Sequence, residues 1–128
     1  AGEERRGEAI LRATLAGLER TVGVEHFSVP GVALPLADVL RRRGEAVEGG
    51  QLARRSLATR RAQLPEGHPQ IAAAESVLGA ALSALGRYAE ADSLLRRSVE
   101  VMERRFGEGD TDTRLARGRL QEHIARQR

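Results

Sequence analysis

The sequence predicts an all-α chain built as a stacked repeat, a solenoid of about six antiparallel helices, and three observations point to it. The chain repeats itself at a spacing of 42 residues. Sliding 26–67 onto 68–109 needs no gap and pairs identical residues at 11 positions, among them His26 with His68, Leu36 with Leu78, Leu40 with Leu82, Gly44 with Gly86, and Arg54-Arg55-Ser56 with Arg96-Arg97-Ser98. Self-similarity at one fixed period marks stacked supersecondary units, none of which buries its apolar side alone. Within each unit, apolar residues recur at the three-and-four spacing of a helix with one buried stripe. Aromatics are scarce, with Phe27, Tyr88 and Phe106 alone and no Trp. A core of Leu, Val, Ile and Ala suits closely packed helices better than a sandwich or barrel.

The elements follow in order. Glu3 to Val22 aligns with Glu45 to Leu64, so Ile10, Leu11, Thr14, Leu15 and Leu18 form the stripe of a second helix without its first-helix partner; residues 1–25 are read as this part of a leading unit. The unit 26–67 carries Val32, Leu36 and Leu40, then Gly44, then Leu52, Leu57 and Leu64. Proline inside a helix removes a hydrogen bond and clashes with the preceding turn at a cost of about 3 kcal/mol. With Pro30 and Pro35 at its opening, the regular helix is expected to begin near Leu34, leaving Ser28 to Ala33 irregular or kinked. The unit 68–109 is the clearest: Ile71, Ala74, Leu78, Ala81, Leu82 and Leu85 lead to Gly86, a left-handed closing residue. A second stripe then runs Tyr88, Ala91, Leu94, Leu95, Val99, Met102 and Phe106 to Gly107 and Gly109. In 110–128, Asp110 is a good N-cap, and Leu115, Leu120 and Ile124 fall over Ala73, Leu78 and Leu82. That last helix is also the most polar, as an end cap of a solenoid must be.

Composition narrows the function. All 21 basic residues are Arg, and 18 carboxylates leave a formal charge of only +3. Exclusive use of Arg, with abundant Ala and Gly, is the habit of GC-rich bacterial genomes. Cysteine is absent, which excludes disulfides and thiolate metal sites. No apolar run approaches the roughly 18 residues of a membrane span, since Ile71 to Leu85 is interrupted by Glu75 and Ser76. A soluble, cytoplasmic chain without membrane contact is expected. Ala1-Gly2-Glu3 falls in register with Arg43-Gly44-Glu45, mid-repeat, and the chain is read as a stretch of a longer protein.

Candidate chemistry is sparse. His26 and His68 are repeat equivalents at helix openers, where a turn or capping role outweighs catalysis or metal binding. His123 follows Glu122 on a polar helix and lacks the second His at helical spacing that a zinc site needs. No phosphate loop or nucleophile motif occurs, so no catalytic residue, metal or cofactor is assigned. Arg41-Arg42-Arg43, Arg54-Arg55, Arg60-Arg61, Arg96-Arg97 and Arg104-Arg105 are interleaved with Glu45, Glu48, Glu90, Glu100 and Glu103. Nucleic-acid binding concentrates positive charge on one face and uses aromatic platforms for single strands, so solvated, ion-paired helix faces are the better reading.

Leu78-Gly79, Leu82, Gly86-Arg87-Tyr88, Glu90-Ala91, Leu94-Leu95-Arg96-Arg97 and the His68-Pro69 opener together resemble the tetratricopeptide repeat, in the 42-residue form similar to that of kinesin light chains and many bacterial signalling proteins. The first unit departs from the pattern, with Ala37 at the Gly79 position, Ala46 at Tyr88 and Gly49 at Ala91, and the last half-unit has Gln121 at Gly79. The resemblance implies a right-handed α-α superhelix and a scaffold that binds a protein or peptide along a concave groove lined by each unit's first helix. Carried over position by position, that lining is Leu34, Asp38, Arg41 and Arg42; then Ala73, Ser76, Ala80, Ser83 and Ala84; then Leu115, Gly118, Glu122, Ala125 and Arg126. Small residues flanked by Arg suit an acidic or helical segment. The parent expected is a larger bacterial signalling or regulatory protein. The alternative is the C-terminal regulatory repeat region of a serine/threonine protein kinase, because Gly86 to Phe106 resembles repeats found there. The oligomeric state is not legible.

Overall fold

The structure, a computed structural model, describes residues 2–128; Ala1, which the repeat aligns with Arg43, lies outside them. Among the described residues the chain forms six helices and no strand: α1 (Gly2–Val22), α2 (Pro30–Arg42), α3 (Ala46–Gln63), α4 (Pro69–Ala84), α5 (Tyr88–Phe106) and α6 (Thr111–Arg126). They are antiparallel neighbours stacked as a right-handed superhelix. Each helix packs on the next in sequence, and α4 also lies against α2 and α6. The backbones of α1, α3 and α5 do not approach one another. The even-numbered helices therefore form the tight inner row and the odd-numbered ones the splayed outer row.

The turn between α2 and α3 and the turn between α4 and α5 are built alike. Gly44 and Gly86 take φ of +88° and +80°, which only glycine adopts without strain. The following amides, of Glu45 and Arg87, then donate back to Leu40 (2.8 Å) and Leu82 (2.9 Å), satisfying carbonyls that the helix end leaves unpaired. His68 caps α4, its Nδ1 accepting from the Gln70 amide at 3.0 Å. His26 makes the equivalent bond one repeat earlier, accepting from the Ser28 amide at 3.1 Å, but it does so in the turn ahead of α2, whose N-cap Val29 has no side-chain cap. Asp110 caps α6 through the Asp112 amide.

Packing follows the inner row. Leu34, Ala37, Leu57, Ile71, Leu78 and Leu95 belong to the central cluster, which α2 to α5 share. Leu15, Val29, Leu36 and Leu40 form a second cluster at the α1 end, and Ala72, Val99, Met102 and Ala116 a third at the α6 end. Leu36 and Leu78, equivalent in sequence, are equally buried. Helix α4 is sheltered on nearly every side, from Ile71 to Ser83 with Ala73 alone half open.

Three expectations are corrected. Helix α2 begins at Pro30, not Leu34, and runs through Pro35. Pro30 sits in the first turn, where its missing N–H costs nothing, and the carbonyl that Pro35 leaves without its helical donor belongs to Gly31, which is exposed. On α1, Ile10 is 62% exposed and Thr14 is exposed too. The equivalent Leu94 is buried and Leu52 half-buried because each lies under the first helix of its own hairpin, and no described helix stands there for α1. On α6, Leu115 is 52% exposed, and the buried face is instead Thr113, Ala116 and His123. Polar groups are tolerated there because they are satisfied: the Thr113 hydroxyl donates to the Met102 carbonyl at 3.2 Å, and His123 is bonded at both ring nitrogens.

Candidate functional groove

The inner row presents one continuous face across α2, α4 and α6, and a depression of about 400 Å³ lies along it. Its walls place repeat-equivalent positions side by side: Leu34 with Ser76, Ala73 with Leu115, and Pro35 with Val77 and Arg119. Asp38 and Arg42 complete its α2 side. A neighbouring depression of about 680 Å³, toward the turns, includes Arg41, Arg42, Ala84 and Arg126. Ala80 and Ser83 are buried, while Glu122 and Ala125 are exposed and Gly118 is half-buried on α6 without lining either depression.

Charge in the groove is organised around Asp38. Arg41 Nε donates to its Oδ1 at 3.0 Å, and Arg42 and Arg119 reach its Oδ2 at 3.4 and 3.5 Å. Burial pushes the Asp38 carboxyl up, but the attraction of Arg119, Arg41 and Arg42, with the Arg41 hydrogen bond, outweighs it and holds the group below its ordinary value. The four side chains do not contribute equally to the surface. Arg41 is only 7% exposed and also reaches Glu122 at 3.3 Å, so its charge is spent internally. Arg42 is 56% exposed, and Arg126 on α6 is exposed without a carboxylate within 4 Å among the described residues. These two are the cations that the groove turns outward.

Arg119 was missing from the residues read off the sequence. It donates to Ser76 Oγ at 3.0 Å and reaches Asp38, tying α6 to α4 and α2 across the groove. The available signal was its register: 119 falls over 77 and 35, four residues on from 115, 73 and 31, on the same helix face.

His123, expected on a polar surface, is buried. Its Nδ1 pairs with Ser83 Oγ at 2.9 Å and its Nε2 with Asp92 Oδ1 at 3.2 Å. The three residue types are those of a hydrolytic triad, but Ser83 is buried in the last turn of α4, its hydroxyl held against His123 in the interior. The network's work is to dock α6 onto α4 and α5. Among the described residues no group of three or more His, Cys, Asp or Glu is placed to hold a metal, and no helix is long and apolar enough to cross a membrane.

Comparison with known proteins agrees with this architecture. The tetratricopeptide repeat family model matches residues 31–104. Two similar solved structures are of nearly identical TPR-like repeats from a Podosopora anserina protein described as a kinesin light chain, one of them a single-substitution variant. Each is 21% identical and superposes over 98% of this chain with TM-scores of 0.71 and 0.69. This chain spans 59% and 60% of theirs. No curated protein matches it.

Proposed function

Because this chain belongs to the tetratricopeptide repeat family, whose members generally mediate contacts between proteins, we propose that it is a non-enzymatic scaffold module that holds a protein segment in the groove along α2, α4 and α6. The observation that supports it is the groove's composition: apolar walls from Leu34, Val77 and Leu115, and outward-facing cations at Arg42 and Arg126. Such a surface favours an acidic or helical segment, since apolar burial supplies affinity and charge supplies orientation. Residues 26–67 and 68–109 act as whole units, 1–25 as the second helix of a leading unit, and 110–128 as the first helix of a further unit or a cap. The uncovered Ile10 side of α1 supports a place in a longer array, and the Arg-only basic composition suits a bacterial signalling or regulatory parent.

The test is affinity capture with the intact chain, wild type against Arg42→Glu with Arg126→Glu. Arg41 is a poor choice, because reversing it would strand Asp38 and disturb the fold. A specific partner recovered by the wild type and lost with the double variant is the expected result. Equal recovery by both would overturn the groove assignment.

A further inference from the structure

The 42-residue period allows one location to be compared at three successive junctions between an outer helix and the next inner one. Where α1 meets α2, the location is held by Glu8 and Arg43, which form an ion pair. Where α5 meets α6, the equivalents are Asp92 and Gln127, and both bond to His123, at 3.2 and 3.3 Å. Where α3 meets α4, the equivalents are Gly50 and Leu85, which can form no polar bridge. A cleft of about 860 Å³ opens at that junction.

Packing does not demand this opening. A Cβ on Gly50 would meet only the Ala81 methyl, at an ordinary 3.7 Å, so a residue that weakens a helix interior is present without a close approach to require it. The cleft's floor is Leu78 and Leu82, with Val47 and Leu85 exposed at its edge. Its charged lining is Arg54, Arg55 and Arg87, with no acidic residue among the lining side chains. Arg54 is paired to Glu90 at 3.0 Å and Arg55 reaches Glu19 at 3.4 Å, but Arg87 has no carboxylate within 4 Å among the described residues. The α4 residues here occupy a different face from Ala73, Ser76 and Val77, which line the groove.

An apolar floor bordered by guanidinium groups and the Gln51 amide, with no carboxylate in the lining and a volume within the roughly 300–1,000 Å³ of small-molecule sites, matches a ligand with an apolar tail and one anionic head. We propose that the cleft between α3 and α4 binds a small amphiphilic anion, its tail against the exposed Val47 and Leu85 above the buried Leu78 and Leu82, and its carboxylate toward Arg87. This site borders the depression at the turns, with which it shares Val47, Gln51 and Leu85, and lies apart from the one lined by Leu34, Ser76 and Leu115.

Calorimetric titration of the full chain with dodecanoate, below its micelle concentration, tests it. Saturable one-to-one binding is expected, weakening by about two- to fourfold for each methylene removed on going to decanoate, the upper figure corresponding to full burial. Dodecyltrimethylammonium should bind at least about tenfold more weakly, its charge being wrong for the rim. The Gly50→Glu with Leu85→Arg double variant installs the α1–α2 ion pair in the cleft and should abolish binding. Arg87→Glu, confined to an exposed turn, should weaken it at least about fivefold with an unchanged circular dichroism spectrum. Absence of saturable binding to the wild type, equal affinity for the cationic amphiphile, or undiminished affinity in Arg87→Glu would overturn the proposal.

Discussion

A Cβ placed on Gly49 would lie 2.6 Å from the carbonyl oxygen of Ala37, so α2 and α3 cross in contact at that glycine. In the next hairpin the small residues exchange sides: Gly79 stands at the Ala37 position and Ala91 at the Gly49 position. A Cβ on Gly79 would lie 2.7 Å from Leu95 Cγ. Two departures of the first unit from the repeat pattern, Ala37 and Gly49, are thus a reciprocal swap that preserves the close crossing.

Gly49→Ala is expected to destabilise the chain by about 1–3 kcal/mol despite alanine's better helix propensity, because the obstructing atom is backbone. Adding Ala37→Gly, which recreates the residue pair of the second hairpin, leaves that carbonyl in place but removes the Ala37 methyl, so that α2 has room to shift away from the new Cβ and part of the loss should be restored. A double-mutant cycle by urea denaturation reads the coupling, expected at about 0.5 kcal/mol or more. Strict additivity would refute the crossing contact.

Equivalent positions should have unequal costs. Leu94→Ala is expected to lose about 2–5 kcal/mol through transfer and cavity effects, as is Leu82→Ala. Ile10→Ala, at the uncovered counterpart of Leu94, should change stability by less than about 0.5 kcal/mol. Thermal denaturation of the three variants checks this, and a large loss at Ile10 would mean that α1 is covered.

Acid should weaken the groove's ion network through Asp38. Its carboxyl is lowered in the folded state, so its stabilising contribution is complete above the ordinary Asp value of about 3.9 and is lost as pH falls through the lowered value. Asp38→Asn should therefore reduce stability at pH 7 and flatten the acid limb of the stability profile. Parallel profiles for the two proteins would contradict the assignment.

Glu75 carries the one carboxylate buried in α4, bonded to Arg61 at 2.9 Å and Arg97 at 2.7 Å. One repeat later the polarity is inverted, with Glu103 paired to Arg117. Glu75→Ala should cost about 1–3 kcal/mol, below the figure for a fully enclosed pair, because both arginines remain partly open to water. Chemical denaturation gives the value, and a neutral result would show the pair to be ornamental.

The sequence carried the fold where period and punctuation agree. Gly44 and Gly86 end helices, His26 and His68 fold the same local turn, and Leu36 and Leu78 fill equivalent places, all visible in one alignment of the chain on itself. What escaped it depended on neighbours. Ile10 has the same local pattern as Leu94, and only the helix on its far side distinguishes them. His123 and Thr113 look like surface residues until partners from α4 and α5 satisfy them. Pro35 looks like a break until the carbonyl it strands proves to belong to exposed Gly31. Of the inner row's depressions, register reached Leu34, Asp38, Ala73, Ser76 and Leu115, but not the burial of Ala80 and Ser83, the internal pairing of Arg41 or the bridging of Arg119 to Asp38, 81 residues away.

The central claim is that hairpins stack so that each shelters only its neighbours, with α4 enclosed and the two ends open. Amide hydrogen exchange resolved along the intact chain tests it most directly. The account predicts the slowest exchange in α4, from Ile71 to Ser83, with protection declining through α3 and α5 to α1 and α6. Protection in α1 or α6 equal to that of α4 would contradict it.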